Sequence, residues 1–257
     1  MKGWNVVAVN SFCYASPMKT DANKQFNYAG PSSLVIRIST HMRQKMFSMF
    51  MDELKPRAEE TILDVGVTSD QSYDNSNYFE ALYPYKDRIV AIGMQGASFI
   101  EQLYVGVRYV EATALCLPFQ DRSFDIVHSS AVLEHVGCID NQAKMITECV
   151  RVARRGICLT TPNRWFPIEF HTQLPLIHWM SKRAGRYVFR RLGFDDLAEE
   201  AHLNLMTSRE LRMLTAGIPR WNFHIASPRL LGWKSNLILF GRSDTESNLA
   251  RVSAHSL

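Results

Sequence analysis

The chain has no uninterrupted apolar run near the roughly 18–20 residues that a bilayer-spanning helix needs. That excludes an integral helical membrane protein. It has no Cys-x-x-Cys pair and no histidine at zinc-ligand spacing, and its five cysteines (Cys13, Cys116, Cys138, Cys149 and Cys158) are odd in number. They read as reduced core thiols of a cytosolic protein, not as a disulfide framework, and no metal is expected. No Gly-x-Gly-x-x-Gly follows the first strand-like run, which argues against a nicotinamide-dependent dehydrogenase. Internal repeats and low-complexity segments are absent, as are a recognised RNA-binding module and a basic tail, so nucleic acid is not an expected partner. The stretch Met1–Asn10 starts basic, but its apolar part is only four residues long, too short for a secretory leader. The expected location is the cytoplasm, with peripheral membrane association left open.

What is present describes an ordinary globular protein: 257 residues, 46% hydrophobic and 21% charged, enough for one large domain or two small ones. The net charge of +4 is unevenly placed. Between Arg151 and Arg191, the cations Arg151, Arg154, Arg155, Arg164, Lys182, Arg183, Arg186, Arg190 and Arg191 face one acid, Glu169. Such a window suggests an anionic partner, a phosphate-bearing substrate or a membrane surface; the plainer alternative is a solvated helix face.

Residues 1–30 show no clean periodicity and read as an irregular arm. Apolar residues at three- and four-residue spacing predict a helix from Ser32 to Leu54. Short apolar runs then recur at 61–66, 88–93, 107–110, 124–128 and 156–161. Helical candidates lie at about 71–83, 96–104 and 140–153. That alternation is the mark of βαβ units around a parallel sheet. Trp221–His224 and Ser235–Gly241 add two strands suited to an antiparallel edge pair. The expected division is one domain over 31–242, with a lid or acceptor insertion at about 164–205 and a flexible tail over 243–257.

Three segments carry a family resemblance. Thr61-Ile62-Leu63-Asp64-Val65-Gly66 is an apolar strand running into Asp-x-Gly, where a glycine lets the backbone approach a nucleoside. Residues 111–128 read Glu-Ala-Thr-Ala-Leu-Cys-Leu-Pro-Phe-Gln-Asp-Arg-Ser-Phe-Asp-Ile-Val-His, and Leu133-Glu134-His135 follows. Arg151-Val152-Ala153-Arg154-Arg155-Gly156 would be the helix end and turn before a fifth strand. In order and spacing, residues 60–163 resemble class I S-adenosylmethionine-dependent methyltransferases, the type-11 subgroup similar to ubiquinone/menaquinone-biosynthesis enzymes. The resemblance implies an α/β, Rossmann-like fold: a seven-stranded, mostly parallel sheet, its last strand antiparallel, with helices on both faces. It also implies S-adenosylmethionine as cofactor, held by Asp64, Gly66, Gly93, Thr113, Ala114 and Ser130.

The sequence departs from that family pattern at three places. Val67, Thr68 and Ser69 stand where two more glycines are usual. Ile92-Gly93-Met94 lacks the acid that holds the ribose, and Thr113 replaces the Asp that meets the adenine. Each lost charge-assisted bond costs about 1–2 kcal/mol, together roughly ten- to several-hundred-fold in affinity. Two readings follow: an atypical methyltransferase, or a methyltransferase-fold protein without cofactor that serves as a binding or scaffold partner.

On the acceptor side, the loop after the fifth run (Thr160–Trp179) is dense in Trp, Phe, His, Arg and Glu, and leaves the carboxyl end of the sheet where ligands bind. His135, His171 and Glu169 are the catalytic candidates, the imidazoles as bases titrating near working pH. His128, on a strand, reads as a core histidine. Residues 176–192 are amphipathic and basic, which fits contact with an anionic membrane and a lipid-linked acceptor; a small molecule or sugar is the alternative.

Overall fold

A computed structural model describes residues 33–69, 76–94, 96–168 and 174–244. The N-terminal arm over 1–30 and most of the expected tail lie outside the described residues.

The apolar runs become the centre of a seven-stranded sheet: β1 (Ile62–Val65), β2 (Ile89–Gly93), β3 (Arg108–Glu111), β4 (Phe124–Ser130) and β5 (Ala153–Pro162). With β6 (Trp221–Ala226) and β9 (Asn236–Ser243) the spatial order is β3-β2-β1-β4-β5-β9-β6. The first five are parallel; β9 runs antiparallel between β5 and β6. Every residue of β1 and β2 is buried, because a parallel sheet covered on both faces needs unbroken apolar strands. Between β6 and β9 lies a small hairpin of β7 (Arg229–Leu230) and β8 (Trp233–Lys234).

On one face Leu63, Val65, Val127 and Ile157 pack under α4 (Ile139–Val152) and α7 (Ser208–Thr215), which contribute Met145, Ile146, Cys149 and Leu211. The other face, with Ile62, Ile126, Cys158 and Phe240, packs under α1 (Ser33–Leu54), α2 (Tyr78–Leu82) and α3 (Ile100–Leu103) through Phe50, Leu54, Phe79 and Ile100. A third cluster of Ile177, Phe189, Leu197, Leu203 and Leu205 belongs to the segment between β5 and α7, with α5 (Lys182–Arg191) and α6 (Asp195–Ala198). The order reverses between β1 and β4, so their carboxyl ends flank the crevice where open α/β sheets bind ligands.

Three expectations change. No turn separates α4 from β5: the helix ends at Val152 and the strand begins at Ala153. The arginines of that stretch anchor the junction from outside. Arg151 pairs with Glu148 and Asp121 and donates to the Leu117 and Phe119 carbonyls; Arg154 pairs with Asp125, and Arg155 with Glu60.

The basic window is accordingly not one patch. Arg186 meets Glu200, Arg190 meets Glu199, Lys182 lies 3.5 Å from Glu210, and Arg164 donates to the His178 and Met180 carbonyls. Acids outside the window neutralise most of it. The cysteines also differ from the reading as reduced core thiols: Cys149 and Cys158 are buried and free, Cys138 is free but exposed, and Cys116 is disulfide-bonded.

Candidate active site

Asp64 ends up turned into the protein. It is the register partner of His128 across β1 and β4, so both side chains leave the sheet on the face covered by α1 and α2. His128 Nδ1 bonds the Asp64 carboxylate, and the Phe79 ring stacks on the imidazole at 4.0 Å. Glu80, from α2, completes the cluster with no exposure at all. No donor of a neighbouring residue reaches its carboxyl, and Asp64 beside it favours the protonated form of Glu80.

Burial sets the charges here. It pushes Asp64 up to about 7, and it pushes Glu80 well above the usual carboxylate range with the Asp64 charge adding to the effect. It pushes His128 down to about 3, so the ring is neutral in the fold.

Past Asp64 the chain bends at Gly66 (φ 102°), and the Gly66 and Val67 amides both donate to the Ile92 carbonyl. A Cβ on Gly66 would stand 2.0 Å from Val132 Cγ2, so only glycine fits. A Cβ on Gly93 would stand 2.5 Å from the Val67 carbonyl oxygen. The folded-back loop thus removes the space for the acidic side chain that the family pattern puts at the end of β2. Asn77 locks the loop further: its amide group accepts from Thr68 N–H at 3.0 Å and donates to the Thr68 carbonyl at 3.1 Å.

Gly66, Gly93 and Ser130 are gathered at the carboxyl ends of β1, β2 and β4. The Ser130 hydroxyl lies 3.2 Å from Tyr78 Oη and 3.0 Å from Thr160 Oγ1. Thr113 and Ala114 follow β3, where Thr113 Oγ1 accepts from the Leu115 amide and half-buried Ala114 packs against the core. Glu111 ends β3, exposed, and is the register partner of Gly93. Glu169 and His171 lie outside the described residues.

His135 is placed by its Nδ1, which donates to the His202 carbonyl at 2.6 Å. A carbonyl only accepts, so Nδ1 carries the proton of the neutral ring and Nε2 is the basic nitrogen. Nε2 lies 4.0 Å from Glu134 Oε1. Fully buried Glu134 accepts from Thr161 Oγ1 and, through its carbonyl, from the Asn204 amide.

Asn204 went unnoticed in the sequence. Its side chain donates to the Gly137 carbonyl and accepts from Lys182 Nζ, while its carbonyl accepts from Gln142. It ties the segment after β5 to the loop after β4. Glu80 was equally hidden, an acid with no motif around it. Among the described residues no group of three or more His, Cys, Asp or Glu is arranged to hold a metal ion.

A sheet in this order, with the reversed strand between β5 and β6 and a positive-φ glycine after β1, defines a class I methyltransferase fold. Comparison agrees with that fold: residues 84–159 match the family described as methyltransferase domain. An uncharacterized methyltransferase of Mycobacterium sp. (strain JLS) is 31% identical over 139 residues, which cover 50% of this chain and 52% of that protein. The chain therefore spans about half the length of the curated relative it matches.

Among solved structures, magnesium protoporphyrin IX methyltransferase from Synechocystis PCC 6803, with bound SAH, superposes with a TM-score of 0.52 at 12% identity, covering 87% of this chain and 93% of that one. The YcgJ protein of Bacillus subtilis gives 0.50 at 15%, covering 78% and 98%. At these identities the likeness is one of fold.

Proposed function

We propose that the chain is an S-adenosylmethionine-dependent methyltransferase that holds its cofactor mainly by backbone and by Glu111. The observation that carries this reading is the Gly66 bend at the β1–β4 switch point, beside the register pair Gly93 and Glu111. Neighbouring in-register residues of a parallel sheet point to the same face, about 4.8 Å apart. A carboxylate on β3 can therefore serve the ribose hydroxyls that the closed end of β2 cannot. The fit is one of backbone and of this single exposed acid. Asp64 takes no part in it, because its carboxylate is spent on His128 and Glu80.

Bound S-adenosylmethionine supplies an electrophilic methyl group on a sulfonium. The protein's contribution is alignment and water exclusion, plus a base where the acceptor is a hydroxyl. His135 Nε2 suits the base, since its Nδ1 bond fixes the tautomer and the ring. The acceptor is a small molecule, sugar or lipid-linked compound received on the side of the segment after β5.

One observation favours a second reading, a cofactor-free binding or scaffold protein: Val132 and Val67 already occupy the faces of Gly66 and Gly93. Calorimetry with S-adenosylhomocysteine separates the two. Saturable binding, weakened about fivefold or more in Glu111→Gln by loss of a charge-assisted bond, supports the enzyme. Absence of heat at millimolar ligand supports the scaffold. Binding untouched by the substitution keeps the enzyme and removes Glu111 from it.

A further inference from the structure

Two segments far apart in sequence meet at the carboxyl edge of the sheet. The chain between β5 and α7 leaves there after Pro162, and the β7–β8 hairpin stands in the connection from β6 to β9, because Pro162 pairs with Asn236. They touch through Trp179 and Trp233, whose rings lie 5.9 Å apart. Around this contact the protein exposes large apolar side chains: Trp165, Ile168, Leu176, Met180 and, at the hairpin tip, Leu231, which is 92% exposed.

The hairpin is built against local preference twice over. Its two-residue loop, Leu231-Gly232, has positive φ at both positions (48° and 85°), where Asn-Gly or Asp-Gly is favoured and leucine is not. Arg229 and Lys234, both exposed, are direct cross-strand partners, a like-charge pair that destabilises a ladder. Among the described residues no acid pairs with either, and Lys45 brings a third cation by donating to the Arg229 carbonyl at 3.4 Å. On α5, Arg183 is a further exposed cation without an ion-pair partner among the described residues.

We infer that this edge is a docking surface for an anionic lipid bilayer: Leu231 enters the acyl boundary, Trp179 and Trp233 sit at headgroup level, and Arg229, Lys234 and Lys45 face the lipid phosphates. Charge complementarity selects this occupant. A bare tip leucine, paired tryptophans with both apolar bodies and N–H donors, and uncompensated cations are the components of interfacial attachment. No helix among the described residues is long and apolar enough to cross a membrane, so attachment is peripheral. The surface is independent of the cofactor reading and stands or falls without it.

The test is co-sedimentation of the full chain with vesicles of phosphatidylglycerol and phosphatidylcholine, against phosphatidylcholine alone. Tryptophan quenching by brominated lipid and thermal melts accompany each variant. Binding to the anionic vesicles is expected to fall roughly tenfold or more in Leu231→Ser/Trp233→Ser, and by a similar factor in Arg229→Gln/Lys234→Gln, with unchanged melts because these side chains are exposed. High salt should release the protein. Equal binding by wild type and both variants overturns the inference, as does equal or negligible binding to both vesicle types. A lipid-independent dimer that the Leu231→Ser/Trp233→Ser variant dissociates also overturns it and makes the face a contact between copies of the chain.

Discussion

Glu60 and Asp64 stand at the two ends of one short strand, β1, and their surroundings have opposite chemistry. At the amino end Glu60 is 3% exposed, and burial alone would raise its pKa. The Arg155 and Arg57 guanidiniums outweigh that and hold the carboxyl below its usual range. At the carboxyl end Asp64 and Glu80 are as deeply buried, yet both are raised, since apolar rings and a neutral histidine surround them. Burial raises a carboxyl's pKa unless the donors that come with it outweigh the lost hydration. The ion-paired end fastens β5 to α1 and to the segment before β1. The dry end keeps two raised carboxyls and a neutral histidine beneath the crevice.

Removing the cation at the paired end gives the largest effect. Arg155→Met strands a buried carboxylate with only Arg57 to answer it, and a loss of about 3 kcal/mol in urea unfolding is expected. Next comes the crowded bend above Asp64. Gly66→Ala forces a Cβ onto Val132 at a backbone angle that disfavours it, with an expected loss of about 2–3 kcal/mol. Val132→Ala in the same chain should return part of that loss, and a double-mutant cycle reads the coupling. No return would mean that backbone angle alone is at fault.

The smallest effect is a difference in pH dependence. Asp64 and Glu80 titrate higher in the fold than in the unfolded chain; the Asp64 contribution is complete below about pH 4 and is lost as pH rises through about 7, and Glu80 acts in the same sense. Glu60 acts in the reverse sense: its contribution is present above its unfolded value and is lost as pH falls. His128 also weakens the fold on acidification, because only the unfolded ring gains a proton between about 6.5 and about 3. Glu80→Gln keeps the size of the side chain and removes its titration. Melting curves between pH 5 and 8 should show the wild type dropping by a few degrees more than this variant, where about 1 kcal/mol is ~2–4 °C. Parallel curves would remove the carboxyl pair from the pH response.

The sheet was legible because β1, β2, β4 and β5 are buried on both faces and must read as apolar runs. The long α1 and the strongly amphipathic α4 were legible from their spacing. The seven-strand order came from the family resemblance, not from periodicity. The arginines of residues 151–191 looked like one patch because the acids that pair with them, among them Glu60, Asp125, Glu199 and Glu200, lie outside that window. Glu80 carries no motif in the sequence. Asn204 carries no motif, and a two-residue hairpin turn with leucine in it gives no turn signal.

The residue order alone determined the parallel core, the Asp64–Gly66 bend and the lack of an acid at Gly93, since strand patterning and the need for a missing Cβ are local. Only the tertiary structure decided where charge survives burial. It turned Asp64 inward to Glu80 and His128, set Glu111 beside Gly93, and brought Trp179 against Trp233. Those outcomes depend on which groups meet across the sheet, and a carboxyl's proton or a tryptophan's partner is fixed by neighbours that lie far away along the chain.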